Sequence, residues 1–314
     1  MIPTHNRRDR VQRCIDAVLA DPTAIEVVVV VDGSTDGTIE RLVERAATDI
    51  RLRPVLVEHG GLYPTLQAGA ERATGEVVLV VDDDVVPAPG LATGHARHHA
   101  TQRGIVVLGY MPVATPTPRR RGQFATFLYA RNYEWTTDLW TREPTSMLRR
   151  FWGGNYSLRR EDALRVGFVA PTGRLPYNDD QEFGLRLSRA GITGVFDRTL
   201  LAHHEHARDM DAFFDEARRR GIGAMMVHAA HEDIVGPLRL ERYEVALPAP
   251  ARWTVRAGRN RVMARVELAL LRPLIHVAGI VRWWKLESLA ATVAMHIIEV
   301  RTIIEARSAA DRGA

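Results

Sequence analysis

Residues 76–84, "EVVLVVDDD", limit the fold more than any other part of the sequence. A short valine-rich run that ends in a turn signal is typical of a buried strand in a mostly parallel sheet. Asp82, Asp83 and Asp84 follow this run directly, and three adjacent carboxylates repel one another. We therefore expect the triplet either to be well solvated, in a loop that caps the next helix, or to have a positive group beside it.

The first hundred residues alternate between helical and extended patterns. The segments with these patterns are, in order, 7–20, 25–32, 38–47, 53–59, 65–73 and 76–81. The alternation predicts an α/β fold with an open parallel sheet, helices on both faces and ligands at the carboxyl ends of the strands. Almost no strand precedes "PTHNRR". Two alternatives stay open: roughly four residues of a first strand are missing through a misassigned start or trimming, or the first strand is a real shortened edge.

Composition and charge narrow the class of protein. The 314 residues include one cysteine, Cys14, which excludes an intramolecular disulfide and suits a reducing cytosol; no basic-then-apolar leader marks secretion. The net charge is only +4, but seven arginines and one lysine lie between Arg252 and Lys285, with the single acid Glu267. This asymmetry predicts an anionic partner, such as phospholipid or phosphate groups, and we expect no nucleic-acid partner.

The C-terminal region, residues 226–314, has a helical and basic pattern. Its apolar stretches at 273–281 and 289–298 are too short and too interrupted by polar residues to span a bilayer. Trp283 and Trp284 stand beside basic residues, a mixture typical of a membrane interface. Two alternatives stay open: the region lies on an anionic membrane surface, or it packs on the first domain or forms a dimer. We expect a cytoplasmic location, including the inner face of the cell membrane.

Further acidic and histidine motifs follow the first strands. In "VVDGSTDGT", Asp32 can accept hydrogen bonds from a base or ribose, and Asp36 can cap a helix that starts at Thr38. "NDDQE" at 178–182 and "HHEH" at 203–206 combine carboxylates with imidazoles, a mixed oxygen and nitrogen set that suits Mn²⁺ or Mg²⁺. Each motif taken alone is more often a turn, a helix cap or a surface feature.

Taken in order, "IPTHNR", "VVDGSTDGT", "VVDDDVVP", "GGNYSLRRE" and "DDQEFGLRLSRAG" resemble the family 2 glycosyltransferases, an inverting group with the GT-A fold. The resemblance covers about residues 1–225 and depends on the order and spacing of these motifs. It implies a Rossmann-like domain that binds a nucleoside diphosphate sugar (UDP-, GDP- or dTDP-linked) and a divalent metal ion. The implied acceptor is a saccharide, a lipid-linked compound or a small molecule.

The resemblance also implies roles for individual residues. The implied donor-binding residues are Pro3, Thr4, Asp32, Asp82, Asp83 and Asp84. The residues implied near the donor sugar and acceptor are Trp152, Gly153, Gly154, Asn155, Asp179 and Glu182. Asp180 is the implied catalytic base, and Asp84 and His204 are the implied metal ligands.

We expect the Asp180 carboxyl to be ionised at neutral pH, with an unperturbed pKa of about 3.9. An ionised carboxylate can take the proton of an attacking hydroxyl. The structural alternative is that Asp180 or Asp179 caps a helix that begins near Phe183.

The sequence departs from the family pattern at two places. Val31 and Asp32 stand where two acids are common, and Leu66 and Gln67 replace a usual Arg-Asn pair, which leaves the nucleotide open. A sugar nucleotidyltransferase is one competing interpretation, but it needs a glycine-rich loop after the first strand, and "PTHNRRDR" has no glycine. A non-catalytic nucleotide-sugar-binding subunit is another, although it would not need the second acidic cluster.

Overall fold

The computed structural model of the chain describes residues 1–23 and 26–313. The strands are β1 (Ile2–Thr4), β2 (Val27–Asp32), β3 (Leu52–Val57), β4 (Val77–Val81), β5 (Val85–Pro87), β6 (Ile105–Tyr110), β7 (Asn155–Arg159) and β8 (Thr193–His204). The helices before β8 are α1 (Arg8–Leu19), α2 (Thr38–Ala46), α3 (Leu62–Arg72), α4 (Leu91–Thr101), α5 (Phe124–Arg142), α6 (Arg160–Val166) and α7 (Asp179–Arg189). The later helices are α8 (Met210–Ala230), α9 (Glu232–Val235), α10 (Ala249–Ala257), α11 (Arg261–Ile280) and α12 (Trp284–Gly313).

The predicted parallel sheet is present in the first part of the chain. β1, β2 and β3 are parallel, with Ile2 opposite Val29. The nitrogen of Met1 donates to Leu79 O at 2.7 Å, and the N–H of Val81 donates to Met1 O at 3.0 Å. This is the pattern of parallel neighbours, so β4 continues the sheet beside β1.

The rest of the sheet is mixed. Its strands follow the order β4-β7-β6-β8-β5, in which β6 and β8 are parallel and the other neighbours are antiparallel. The sequence after residue 110 lacks a regular strand–helix alternation, and the antiparallel strand β7 comes from that part. The alternation therefore predicts the parallel half of the sheet and not the antiparallel half.

The valine run of β2 shows why these strands form. Val27, Val29 and Val31 belong to one hydrophobic cluster, whereas Val28 and Val30 belong to another. Successive side chains of a strand point to opposite faces, so both faces of β2 are covered by core. Residues with branched β-carbons fit such a doubly covered strand.

The chain divides into two compact units, each formed by several segments. Unit 1 comprises residues 1–114, 133–173 and 180–206, and unit 2 comprises residues 115–132, 174–179 and 207–314. Unit 1 contains the sheet. Unit 2 is helical, and α8, α10, α11 and α12 contribute to its apolar core. The predicted boundary after residue 225 falls inside α8, and the domain limits stay a prediction. Among the described residues, no helix has both the length and the apolarity to cross a bilayer.

Candidate active site

Strand ends and the loops that follow them enclose a cavity of about 330 Å³ in unit 1. β1 ends at Thr4, β2 ends at Asp32, and β4 ends one residue before Asp82. The residues that line the cavity are Pro3, Thr4, His5, Arg7, Asp32, Leu62, Thr65, Asp82, Asp83 and Asp84. This is the edge where an open α/β sheet binds its ligands. All six residues predicted to bind the donor therefore lie around one cavity; their binding roles stay predictions.

Arg7 supplies the positive charge that the acidic triplet requires. Its Nη1 lies 2.5 Å from Asp83 Oδ1 and 3.0 Å from Asp84 Oδ2. Thr4 Oγ1 donates to the other Asp83 oxygen at 2.7 Å. Asp83 is buried, and these two partners satisfy its carboxylate. The expectation of a positive group at the triplet is therefore correct, and a side chain already provides part of it.

Asp82 lies among the carboxyl groups of three other residues, Asp83, Asp84 and Asp180. Burial raises its pKa well above the usual value, and the charges of Asp84, Asp180 and Asp83 raise it further, while Arg7 opposes them. Burial also raises the pKa of Asp83, against the lowering effect of Arg7. Arg10 Nη2 also lies 3.7 Å from Asp84 Oδ2. The two guanidiniums are outnumbered by the four carboxyl groups, as expected of a site that receives a cation.

A glycine turn separates Asp82 from the second acidic cluster. Gly153 N–H donates to Asp180 Oδ2 at 2.9 Å. A Cβ atom on Gly153 would lie 2.9 Å from Asp180 Oδ1, and a Cβ atom on Gly154 would lie 2.9 Å from Asp82 Oδ2. Gly154 also has a φ of +103°, which side-chain-bearing residues rarely adopt. Only glycines allow the turn to approach both carboxylates so closely.

Asp180 is held from two sides. Tyr63 Oη donates to its Oδ1 at 2.7 Å, opposite the bond from Gly153. Burial raises the pKa of Asp180, although both hydrogen bonds lower it. The expectation of an unperturbed pKa is therefore wrong, because the surrounding protein removes water from the carboxyl group. The expected helix start near Phe183 is also wrong, since α7 begins at Asp179 and includes Asp180 in its first turn.

His204 lies beside the acidic triplet, as the sequence predicts. β5 and β8 pair antiparallel with Val85 opposite His204, and the imidazole Nε2 lies 3.5 Å from Asp84 Oδ1. Its neighbour His203 is opposite Val86 and is exposed. The strand register therefore separates the two histidines, which the sequence alone leaves equivalent.

Asp32 accepts hydrogen bonds from backbone N–H groups, which the sequence does not predict. Its carboxylate accepts the N–H groups of Gly60 at 2.7 Å and Gly61 at 3.0 Å, and His59 Nδ1 lies 3.0 Å away. His5, Asp32 and His59 also form the one cluster of metal-ligating side chains found by geometry among the described residues. That cluster differs from the predicted ligand pair Asp84 and His204.

Asn155 and Glu182, which are predicted near the donor sugar and acceptor, are buried and have protein partners. Asn155 is buried, and its side chain donates to Leu200 O at 3.0 Å and bonds to His95 at 3.0 Å. Glu182 is buried and pairs with Arg186, whose Nε lies 2.9 Å from both carboxylate oxygens. Both side chains therefore have partners within the protein, and their roles toward the sugar and acceptor stay predictions.

The remaining predicted residues have simpler surroundings. Trp152 is half-buried, and its ring meets that of Tyr133 edge to face at 5.3 Å. Asp179 is the first residue of α7. The N-cap position before Thr38 is Gly37, not Asp36, but an Asp36 oxygen accepts the Thr38 N–H at 3.1 Å.

Two residues of the site escape the sequence analysis. Arg7 follows β1 by three positions, so a basic residue just after a strand end was an available signal. Tyr63 lies in the first turn of α3 and has no such signal, because its contact with Asp180 joins residues that are 117 positions apart.

A family model described as glycosyl transferase family 2 matches residues 1–161 of the 314. Because this family model matches more than half of the chain, the chain belongs to glycosyl transferase family 2. This is the family that the order of the motifs predicts.

Individual proteins agree with this assignment. Glycosyltransferase GlyA of Streptococcus pneumoniae serotype 4 is 32% identical over 85 residues, or 27% of this chain and 12% of that protein. The chain therefore spans only a small part of that relative's length.

Two solved structures share the architecture. A mannosyltransferase from Pyrobaculum calidifontis in complex with GDP-Man and Mn²⁺ has a TM-score of 0.53 at 18% identity, covering 93% of this chain and 84% of that one. TarS 1–349 from S. aureus in complex with UDP has a TM-score of 0.50 at 17% identity, covering 99% and 90%. These likenesses confirm the predicted GT-A fold.

Proposed function

We propose that the protein is an inverting glycosyltransferase that moves a sugar from a nucleoside diphosphate sugar to an acceptor hydroxyl. One observation carries this proposal: Gly153 and Gly154 hold Asp180 and Asp82 on neighbouring sides of one turn. The reaction needs two acidic groups with different roles, one toward the acceptor and one toward the departing diphosphate. The turn keeps two such groups adjacent but distinct.

Asp180 is the proposed general base. In an inverting transfer the acceptor oxygen attacks the anomeric carbon while its proton leaves to a base, and the diphosphate departs from the opposite face. An alcohol is a poor nucleophile at neutral pH, so the base must take the proton as the new bond forms. A carboxylate with a raised pKa takes a proton more readily than an ordinary one. The bonds from Tyr63 and Gly153 orient the carboxylate and favour its ionised form.

Asp84 and His204 are the proposed ligands of a divalent cation, with Asp82 beside them. The excess negative charge at Asp82 and the 3.5 Å separation of the Asp84 and His204 ligand atoms support this assignment. An imidazole ligand suits Mn²⁺ better than Mg²⁺, which prefers oxygen ligands. When bound, the cation neutralises charge that develops on the leaving diphosphate.

The donor is proposed to be a UDP-, GDP- or dTDP-sugar, and the acceptor a saccharide, a lipid-linked compound or a small molecule. The structural neighbours were solved with GDP-Man or with UDP, so both nucleotides belong in the first trial. The cavity beside Pro3, Thr4 and Asp32 is proposed to receive the nucleoside.

Incubating the protein with a panel of nucleotide sugars and Mn²⁺ tests the reaction. Slow release of a nucleoside diphosphate without added acceptor supports a transferase. Chemistry that depends on pyrophosphate would instead identify a sugar nucleotidyltransferase, and no turnover by the folded protein would favour a binding subunit.

The variant Asp180→Asn tests the base, because it keeps the shape of the side chain and removes its basicity. We expect donor binding to persist and transfer to fall by roughly 10²-fold to 10⁴-fold. Asp179→Asn is the comparison, since it changes the adjacent carboxylate in the same helical turn. Loss of transfer in Asp179→Asn and not in Asp180→Asn would contradict the proposal that Asp180 is the base.

A further inference from the structure

Helix α11 of unit 2 presents a continuous apolar row to solvent. Val262 is 65% exposed and Leu270 is 66% exposed. The exposed apolar side chains of the row are Val262, Val266, Leu270, Val277 and Ile280. Their spacings of three, four and seven residues place them on one face of the helix. Trp283, 60% exposed, lies just beyond the end of the helix.

The opposite face of α11 already has a partner. Ala264, Ile275 and Ala278 are buried, and the first two contribute to the apolar core that α11 forms with α12. The helix is therefore held in the fold without its outer row. Apolar patches that are larger than folding requires mark surfaces for association.

A row of arginines runs alongside the apolar row. Arg261, Arg265 and Arg272 are exposed and are spaced by four and seven residues. Arg261 and Arg265 directly precede Val262 and Val266 of the apolar row. Arg272 also pairs with Asp211 at 3.1 Å. Arg282 and Lys285 extend the basic surface beyond the helix, and Glu267 is the single acid between Arg252 and Lys285.

We propose that α11 lies flat on an anionic lipid bilayer, with its apolar row in the headgroup–acyl boundary and its arginine row at the lipid phosphates. A helix with adjacent apolar and basic rows, and an aromatic residue at its end, is suited to this position. A helix in this position lies along the membrane surface and does not cross the bilayer. The proposal does not depend on the donor or on the base.

Charge distinguishes this partner from a second copy of the chain. In a twofold dimer built on this surface, the same arginine row would lie near its own copy, and like charges would face each other. An anionic membrane instead places phosphate groups opposite the arginines.

Co-sedimentation of the full chain with vesicles tests the proposal without any sugar nucleotide. We expect binding to vesicles of phosphatidylcholine mixed with phosphatidylglycerol and much weaker binding to phosphatidylcholine alone. Leu270→Asp should weaken binding by at least roughly tenfold, because it puts a charge in the apolar row. Removing two charges with Arg261→Gln and Arg265→Gln together should weaken it by roughly thirtyfold.

Matched controls change the same side-chain types in unit 1. Ile50→Asp replaces an apolar residue that is 93% exposed, and Arg41→Gln with Arg97→Gln removes two exposed charges. These variants should bind vesicles like the wild type, and circular dichroism should show every variant folded. Equal binding to both vesicle types would overturn the proposal. So would a lipid-free dimer that Leu270→Asp dissociates, because the row would then be a subunit interface.

Discussion

Asp82, Asp83 and Asp84 are consecutive in the chain, yet their carboxylates have three different surroundings. Asp83 is buried against Thr4 and Arg7. Asp84 shares Arg7 and also faces His204. Asp82 lies against the glycine turn and has a strongly raised pKa. Replacing each of these aspartates in turn should therefore have a different effect, although the three are adjacent and identical in the sequence.

We expect Asp84→Ala to abolish Mn²⁺-dependent binding of a nucleotide sugar while the fold stays intact, because its charge serves the site at a strand end and not the core. Calorimetric titration with UDP or GDP and Mn²⁺ measures the affinity. Asp9→Ala, which removes an exposed carboxylate from the nearby helix α1, is the control. Unchanged affinity in Asp84→Ala would remove this residue from the metal site.

Tyr63→Phe should shift the pH dependence of transfer to higher pH. The Tyr63 hydroxyl lowers the pKa of Asp180 against the raising effect of burial, so its loss raises that pKa. The base must be unprotonated to act, and transfer rises with pH through the pKa of Asp180. A rate–pH profile measures the shift. Tyr110→Phe, which also removes a hydroxyl bonded to a carboxylate, should leave the profile in place.

The sequence reveals the chemical groups of the site better than their geometry. Strand-end position and motif order predict Asp82, Asp84 and Asp180. They do not predict that Asn155 points into the core, since β7 is antiparallel and its neighbours are distant in the chain. They also do not predict the Tyr63 contact, which depends on the packing of α3 and α7.

At the scale of elements, the turn at Gly153 and Gly154 controls both carboxylates. Gly154→Ala should lower the free energy of unfolding by about 1–3 kcal/mol, because its φ of +103° strains an alanine. It should also weaken cation-dependent nucleotide binding, since the new Cβ would collide with Asp82. Denaturant unfolding and calorimetry measure the two effects.

Gly191→Ala provides the matched control for that substitution. Gly191 has a φ of +77°, but a Cβ there would meet nothing within 4 Å. The control should lose stability for the same backbone reason and keep full nucleotide binding. If the two variants bind nucleotide equally well, the contact between Gly154 and Asp82 has no role in the site.

Helices and strands with a regular pattern of apolar residues are predicted from the sequence. Strands whose place depends on pairing with a distant segment are not. Segment 7–20 has a helical pattern, and α1 forms there with Val11 and Ile15, four residues apart, both buried. β4 was expected from its valines, but its antiparallel partner β7 has no comparable signal. Sheet order depends on contacts between distant segments, which a local pattern does not contain.

At the scale of the whole molecule, a buried histidine pair makes stability depend on pH. Burial lowers the pKa of His95 to about 3 and that of His99 to about 4, and both bond to Ser157 at 2.8 Å. In the unfolded chain these histidines titrate near pH 6.5. The unfolded state therefore binds more protons than the native state, so stability falls as the pH falls from about 6.5 toward 4.

His99→Gln should make that loss of stability less steep. Urea unfolding at pH values between 6.5 and 4 gives the slope for each protein. His203→Gln, which changes an exposed histidine, should retain the wild-type slope. Parallel slopes in the wild type and His99→Gln would show that this histidine is not protonated on unfolding in that range.

The pairing of β6 with β8 shifts between Gly109, opposite Asp197, and Tyr110, opposite Leu201. Three residues of β8, 198–200, thus have no counterpart on β6. Successive side chains of a strand point to opposite faces. Whether segment 198–200 has an odd or an even number of residues therefore determines which histidine faces the acidic triplet. Deleting one residue would turn His203 to the face of the strand that His204 now occupies, whereas deleting two would leave His204 on that face. The length of segment 198–200 thereby determines which imidazole faces Asp84.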